Sequence, residues 1–148
     1  MQLSDFNASN NLVSLFLTRA DALGDKPMLW VKREGTWQSL SWAEAARRVC
    51  LIAQGLRDLG LTDGDRVLLV SENRPEWCLA DLAIMAAGCI TVPAYTTNTE
   101  RDHQHIMEDS GASAVIVSTA KLAQSLMPAA IRATKAQHMI AIEDIRSG

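Results

Sequence analysis

Arg66-Val67-Leu68-Leu69-Val70 is a short apolar run, entered from the turn Thr62-Asp63-Gly64-Asp65 and left through Ser71-Glu72-Asn73-Arg74-Pro75. It is too short for an ordinary helix. Its β-branched and leucine side chains suit a strand covered on both faces of a parallel sheet. Asn73 is placed to cap the next helix, and Pro75 is tolerated in a first turn. That helix, about Arg74 to Ala87, is apolar nearly all round through Trp77, Leu79, Ala80, Leu82, Ala83, Ile84 and Ala86, so it belongs between layers. Cys89–Val92 reads as the following strand, closed by Pro93. Thr99 with Asp102 caps a more polar helix to about Ser110, and Ala114–Val117 is another buried strand. A helix from about Ala120 to Ala133, with Pro128 in its middle, and a last strand over His138–Ile142 complete the pattern. Strand and helix alternate throughout, which gives an α/β fold, mainly a parallel sheet flanked by helices.

Upstream, Leu12, Leu15, Phe16 and Ala20 share one face of a helix from about Asn11 to Leu23, with Gly24 as its stop. Met28–Arg33 and Thr36–Leu40 are strand-like and joined by Glu34-Gly35, the spacing of a tight amino-terminal β-hairpin that Trp30 and Trp37 are expected to anchor. Ser41-Trp42-Ala43-Glu44 has the form of a capping box. It opens a helix whose stripe is Trp42, Ala45, Ala46, Val49, Ile52, Ala53, Leu56 and Leu59, ended by Gly60.

Of the 148 residues, 48% are hydrophobic and 21% charged, which excludes a disordered chain. The net charge is −3 and the basic residues are scattered, so nucleic acid is not an expected partner. Cys50, Cys78 and Cys89 have no metal or disulfide spacing. They are read as reduced core thiols, which implies a cytoplasmic location. Met1–Asp5 has no signal-peptide character. Leu82 to Asn98 is uncharged, but it is shorter than the roughly 20 residues of a membrane span and is broken by Gly88 and Pro93. It fits the end of a buried helix followed by a buried strand.

The glycines are dispersed, with neither GxGxxG nor GxxxxGK, so the usual phosphate cradles are missing. Asp102, His103, His105 and Glu108 suggest a metal at first sight. Helical residues two apart point about 200° apart, however, so a solvated polar face is the better reading, with His105 beside Asp102, Glu108 and Asp109. Tyr95-Thr96-Thr97-Asn98-Thr99 leaves the carboxyl end of a strand, where open sheets bind ligands. Its hydroxyls serve equally to satisfy a strand-to-helix turn. Ser71–Trp77 also follows a strand. Ser71 lacks the surround of a nucleophile elbow, and Glu72 and Glu76 have no feature that would raise them into acid–base work, so a cap with surface charges is expected. Asp81 marks the exposed or paired strip of its apolar helix.

Ser71-Glu72-Asn73-Arg74-Pro75-Glu76-Trp77, followed by Asp81 to Thr99, resembles the early part of adenylate-forming enzymes, most nearly the bacterial long-chain fatty acyl-CoA synthetases. Leu40–Glu44, Gly60–Val67 and Glu108–Ala112 resemble the family in the same order and spacing, so the likeness runs from about Asn11 to Ile142. Each segment is weak alone; together they are specific. The resemblance implies that residues 1–148 are a single partial domain, the first part of the large amino-terminal domain. Residues 11–65 would supply a helix, the hairpin and a capped helix, and residues 66–148 the parallel β/α units.

It also implies a reaction. A fatty-acid carboxylate attacks the α-phosphate of ATP with magnesium assisting, diphosphate leaves, and the thiol of coenzyme A displaces AMP. The family's phosphate loop, its Tyr-Gly-x-Thr-Glu segment, its ribose-binding Asp and its catalytic Lys have no counterpart here. No catalytic, cofactor-binding or metal residue is therefore assigned. ATP, magnesium and coenzyme A belong to the full-length enzyme, and the expected partner is the remainder of a synthetase chain. Two other readings stay open: a self-sufficient interaction or binding module, and a part of an acyl-AMP or amino-acid-activating ligase. The apolar strand His138–Ile142 leaves pairing with another chain, such as a homodimer, open as well.

Overall fold

The computed structural model describes residues 10–144. Helix α1 (Leu12–Leu23) is followed by a hairpin of β1 (Pro27–Arg33) and β2 (Thr36–Ser41), then by α2 (Trp42–Asp58). The sheet units are β3 (Arg66–Val70), α3 (Pro75–Ala86), β4 (Ile90–Ala94), α4 (Glu100–Ser110), β5 (Ala114–Val117), α5 (Ala120–Arg132) and β6 (His138–Ala141). The four later strands form one sheet in the order β4-β3-β5-β6, and every pairing is parallel.

Alternation along the strands separates two cores. Val67, Leu69 and Ile116 face a cluster built with Val49, Ala53 and Leu56 of α2 and Leu79, Ala83 and Ile84 of α3. Leu68, Val70, Val115 and Val117 face the other way, onto Met107 of α4 and Leu122, Ala123, Leu126 and Ala129 of α5. Helix α3 is enclosed because α1, α2 and the sheet all pack on it. Phe16 of α1 meets Trp42 of α2 with ring centroids 6.0 Å apart, which ties the first helix to this layer.

Several local expectations hold. Gly24 stops α1, with a φ of 51° and its N–H donating to the Ala20 carbonyl at 2.9 Å. Glu34 and Gly35 both have positive φ, 49° and 80°, as a two-residue hairpin turn requires. Thr99 and Asp102 cap α4 reciprocally.

Others are corrected. Ser41 Oγ accepts from Glu44 N–H at 3.2 Å, but the Glu44 carboxylate does not reach back. Arg47 and Arg48 take it instead, at 2.7 and 2.6 Å, because charge-assisted bonds from neighbours on the same helix outcompete one backbone amide. The residue before α3 is Arg74, without a side-chain cap, so Asn73 does not cap it. Strand β4 runs through Pro93 rather than stopping there. It is an edge strand, where a missing N–H is tolerated, and it is only half-buried, with Ile90 exposed. Trp30 and Trp37 do not anchor the hairpin: they are 56% and 62% exposed, on the face of the ribbon that carries Lys32. Ile52 and Leu59 lie at the exposed margin of the α2 stripe. Of the three thiols read as core, Cys89 is buried, Cys78 is half-buried and Cys50 is exposed.

Candidate functional site

In the order β4-β3-β5-β6, the chain leaves β3 for one neighbour and later crosses back to the other. The turns after β3 and β5 therefore diverge at the carboxyl end of the sheet, the position where open α/β sheets form a ligand crevice. Ser71 and Glu72 leave β3 here, Ser118 and Thr119 leave β5, and Tyr95 and Thr96 leave β4.

At this end of the sheet a cleft of about 590 Å³ opens between the exits of β3 and β4, not between those of β3 and β5, lined by Ser71, Glu72, Trp77, Pro93, Tyr95 and Thr96 among others. The loops expected separately from the sequence, Ser71–Trp77 and Tyr95–Thr99, thus share one wall system. Tyr95 is 80% exposed beside it. On the inner side, Ser118 Oγ donates to Glu72 Oε2 at 2.5 Å and bridges the two diverging turns. That bond, then the bond within the Glu72 turn, holds the Glu72 carboxyl below its ordinary value against the opposing effect of burial. Glu72 is consequently a fixed anionic acceptor at neutral pH, unsuited to donate a proton.

An ion-pair chain closes the flank. Arg74 donates to Glu143 at 2.6 Å and to Glu76 at 3.0 Å, and Arg33 of the hairpin donates to Glu76 at 2.8 Å. Burial pushes the Glu76 carboxyl up, but the Arg74 bond and the nearby positive charges outweigh it and leave it lowered. These contacts tie β1, the start of α3 and the exit of β6 together, and none of the four residues lines the cleft itself. As a unit they fix charge and position; they contain no poised acid–base pair.

Nucleophiles are equally quiet. Ser71 Oγ donates to the Glu72 carbonyl at 3.0 Å. Burial pushes the Cys78 and Cys89 thiols up, away from the reactive thiolate. Among the described residues no group of three or more His, Cys, Asp or Glu side chains is placed to hold a metal. His105, Asp102, Glu108 and Asp109 lie on the exposed face of α4, as the spacing predicts. His103 does not: it is fully buried, with no hydrogen-bond partner on either ring nitrogen, which corrects its placement on a solvated face. Asp81 is half-exposed on α3.

The bond between Ser118 and Glu72 escaped the sequence reading. The signal for it was present: Ser-Thr follows β5 just as Ser-Glu follows β3, and parallel register sets such exits side by side.

Residues 16–147 match the family described as AMP-binding enzyme. The chain is 38% identical over 86 residues to the long-chain-fatty-acid–CoA ligase FadD15 of Mycobacterium tuberculosis, covering 58% of this chain and 14% of that protein. It is 29% identical over 113 residues to the long-chain-fatty-acid–CoA ligase ACSBG1 of Bos taurus, covering 76% and 16%. The adenylation domain of a carboxylate reductase from Mycobacterium chelonae superposes with a TM-score of 0.80 over 96% of this chain and 25% of that one, at 17% identity, a likeness of fold alone. A benzoate CoA ligase from Burkholderia xenovorans LB400 gives a TM-score of 0.77 at 27% identity over 88% of this chain and 25% of that one. The chain therefore spans only 14 to 16% of the length of the two curated ligases. With a family match over nearly its whole length and an α/β frame of the same architecture, the chain belongs to the AMP-binding enzyme family and corresponds to an amino-terminal portion of an adenylate-forming enzyme.

Proposed function

We propose that this chain is the amino-terminal scaffold of an ATP-dependent acyl-CoA synthetase acting on long-chain fatty acids, and that it is inactive by itself. The observation that carries the reading is the family match over residues 16–147, joined to a carboxyl-end crevice without acid, base or nucleophile ready for chemistry. The names of FadD15 and ACSBG1 support long-chain fatty acid as the substrate. The fold does not choose the acid, because a benzoate ligase shares it.

In this reading the carboxylate oxygen attacks the α-phosphorus of ATP and diphosphate departs. The sulfur of coenzyme A then attacks the acyl carbon and AMP departs. ATP, magnesium and coenzyme A are held by polypeptide outside this segment. The share of residues 10–144 is positional: Glu72, Ser118, Arg74 and Glu76 hold the strand exits rigid, and Tyr95 and Trp77 present a wall to the crevice. The free thiols at Cys50, Cys78 and Cys89 support a cytoplasmic setting.

The test is thioester formation from a long-chain fatty acid, ATP and coenzyme A. A polypeptide that continues from Gly148 into the family's phosphate loop and beyond is expected to form acyl-CoA, and the 148-residue chain is expected to form none. Equal turnover by both would refute the scaffold reading.

A further inference from the structure

Helix α4 is attached to the rest of the molecule by few side chains. Only His103 and Met107, one turn apart, are fully buried on it, and it packs against α5 and the edge strand β4. One of its two anchors is therefore a completely buried imidazole, on the same helix face as Met107, which belongs to the apolar cluster of Val70 and Leu126. Neither ring nitrogen has a hydrogen-bond partner. A neutral imidazole tolerates that setting at a cost; an imidazolium does not, because a buried unpaired charge must find water or a counter-ion.

The surrounding charges do not supply one. On α4, Asp102 is adjacent, but its carboxylate accepts from the Thr99 N–H and hydroxyl at 2.9 and 2.8 Å, on the exposed side. Arg101, His105, Glu108 and Asp109 are exposed, and Glu100 pairs at the surface with Arg132 of α5. Lys121, the other cation of α5, is exposed. Strand β4 carries no charged residue, and the β3 side chains facing this core are Leu68 and Val70. Burial accordingly pushes His103 below its ordinary value, with Asp102 opposing only in part.

We propose that α4 is an acid-releasable cover: protonation of His103 lifts the helix from the sheet and frees the Tyr95–Asn98 turn that walls the cleft. The coupling is covalent and short. Thr99, the cap of α4, directly follows that turn, so the helix cannot leave without moving it. The cover opens on acidification because the released state binds a proton the closed state refuses. Closure is complete above the free imidazole value of about 6.5 and weakens as pH falls below it.

Hydrogen exchange read by mass spectrometry between pH 5 and 8, normalised for intrinsic rates, tests this on the 148-residue chain or any longer polypeptide containing it. Opening of α4, relative to the interior of α2, is expected to rise up to about tenfold per pH unit below about 6.5, and His103→Leu is expected to flatten the rise. Parallel pH dependence of α4 and α2, or an unchanged rise in His103→Leu, overturns the proposal. If that variant does not fold, NMR titration of the native His103 ring decides. Titration below the ordinary imidazole value supports the cover, and titration at or above it overturns it.

Discussion

Helices α3 and α4 are consecutive crossovers on opposite faces of one sheet, and they are held in unlike ways. Helix α3 buries Leu79, Ala80, Leu82, Ala83 and Ile84 between the sheet and two other helices. Helix α4 buries His103 and Met107 and leaves the rest of its surface to water or partial cover. Helix α3 is thus held by many buried apolar side chains, while α4, which adjoins the Tyr95 wall, is held by its cap, Met107 and one polar anchor, the core on its face being supplied mainly by α5 and the strands. Mobile binding elements are drawn from such weakly buried regions.

The sharpest way to break this contrast is to remove bulk from the enclosed side. Ile84→Ala is expected to lower unfolding free energy by about 2–5 kcal/mol in chemical denaturation, because Ile84 is fully buried and its neighbours cannot all collapse onto the void. A loss below about 1 kcal/mol would show that the α3 layer is not the rigid one. Gly88, just beyond α3, comes next. Its φ is 78°, and a Cβ there would lie 2.2 Å from Asp63 Oδ1. The exposed Asp63 side chain can swing away, so the backbone strain remains as the main penalty. Gly88→Ala should destabilise by about 1–2 kcal/mol in the same assay.

On the α4 side, Thr99→Ala removes the acceptor for Asp102 N–H and the donor to its carboxylate, and about 1 kcal/mol is expected to go with them. The loss should show first as faster exchange in the initial turn of α4, with α2 and α3 unchanged. The smallest effect belongs to Glu44. Its carboxyl is lowered from 4.5 to about 2, chiefly by the Arg47 bond and then by that of Arg48. A lowered folded-state value means stability present above pH 4.5 and lost as pH falls through about 2. The Glu44 side chain is 31% exposed and its arginine partners more so, and solvent screens such pairs, so Glu44→Gln should blunt the acid limb of a pH–stability curve slightly and leave the neutral region unchanged.

The same contrast governs how far the sequence was legible. Where burial on one face is deep, as in Arg66–Val70, Ala114–Val117 and the all-round apolar α3, pattern and structure coincide, since few arrangements hide that much apolar surface. Chain reversals with one chemical solution, such as Glu34-Gly35 and the Thr99–Asp102 cap, were equally readable. Misreadings arose where a residue had two satisfactory partners or a choice set by distant packing. Glu44 exchanged a backbone amide for two arginines. Pro93 could stay in a strand because that strand proved to be an edge. Trp30 and Trp37 turned outward, while Met28 and Leu40 are the hairpin side chains that pack, partly buried, against the core. His103 is the instructive case: spacing within α4 separated it correctly from His105, but only the packing of α4 on α5 and β4 revealed that it points into the interior. The ion-pair chain of Arg33, Glu76, Arg74 and Glu143 joins positions up to 110 residues apart, and no local pattern encodes such a meeting.

The proposed scaffold role makes one demand that can be measured directly. Incubated with a long-chain fatty acid, ATP, magnesium and labelled pyrophosphate, the purified 148-residue chain should return no label to ATP above a protein-free control. Fatty-acid-dependent exchange by this chain alone would contradict the account, because adenylate formation would then reside in residues assigned here to scaffolding.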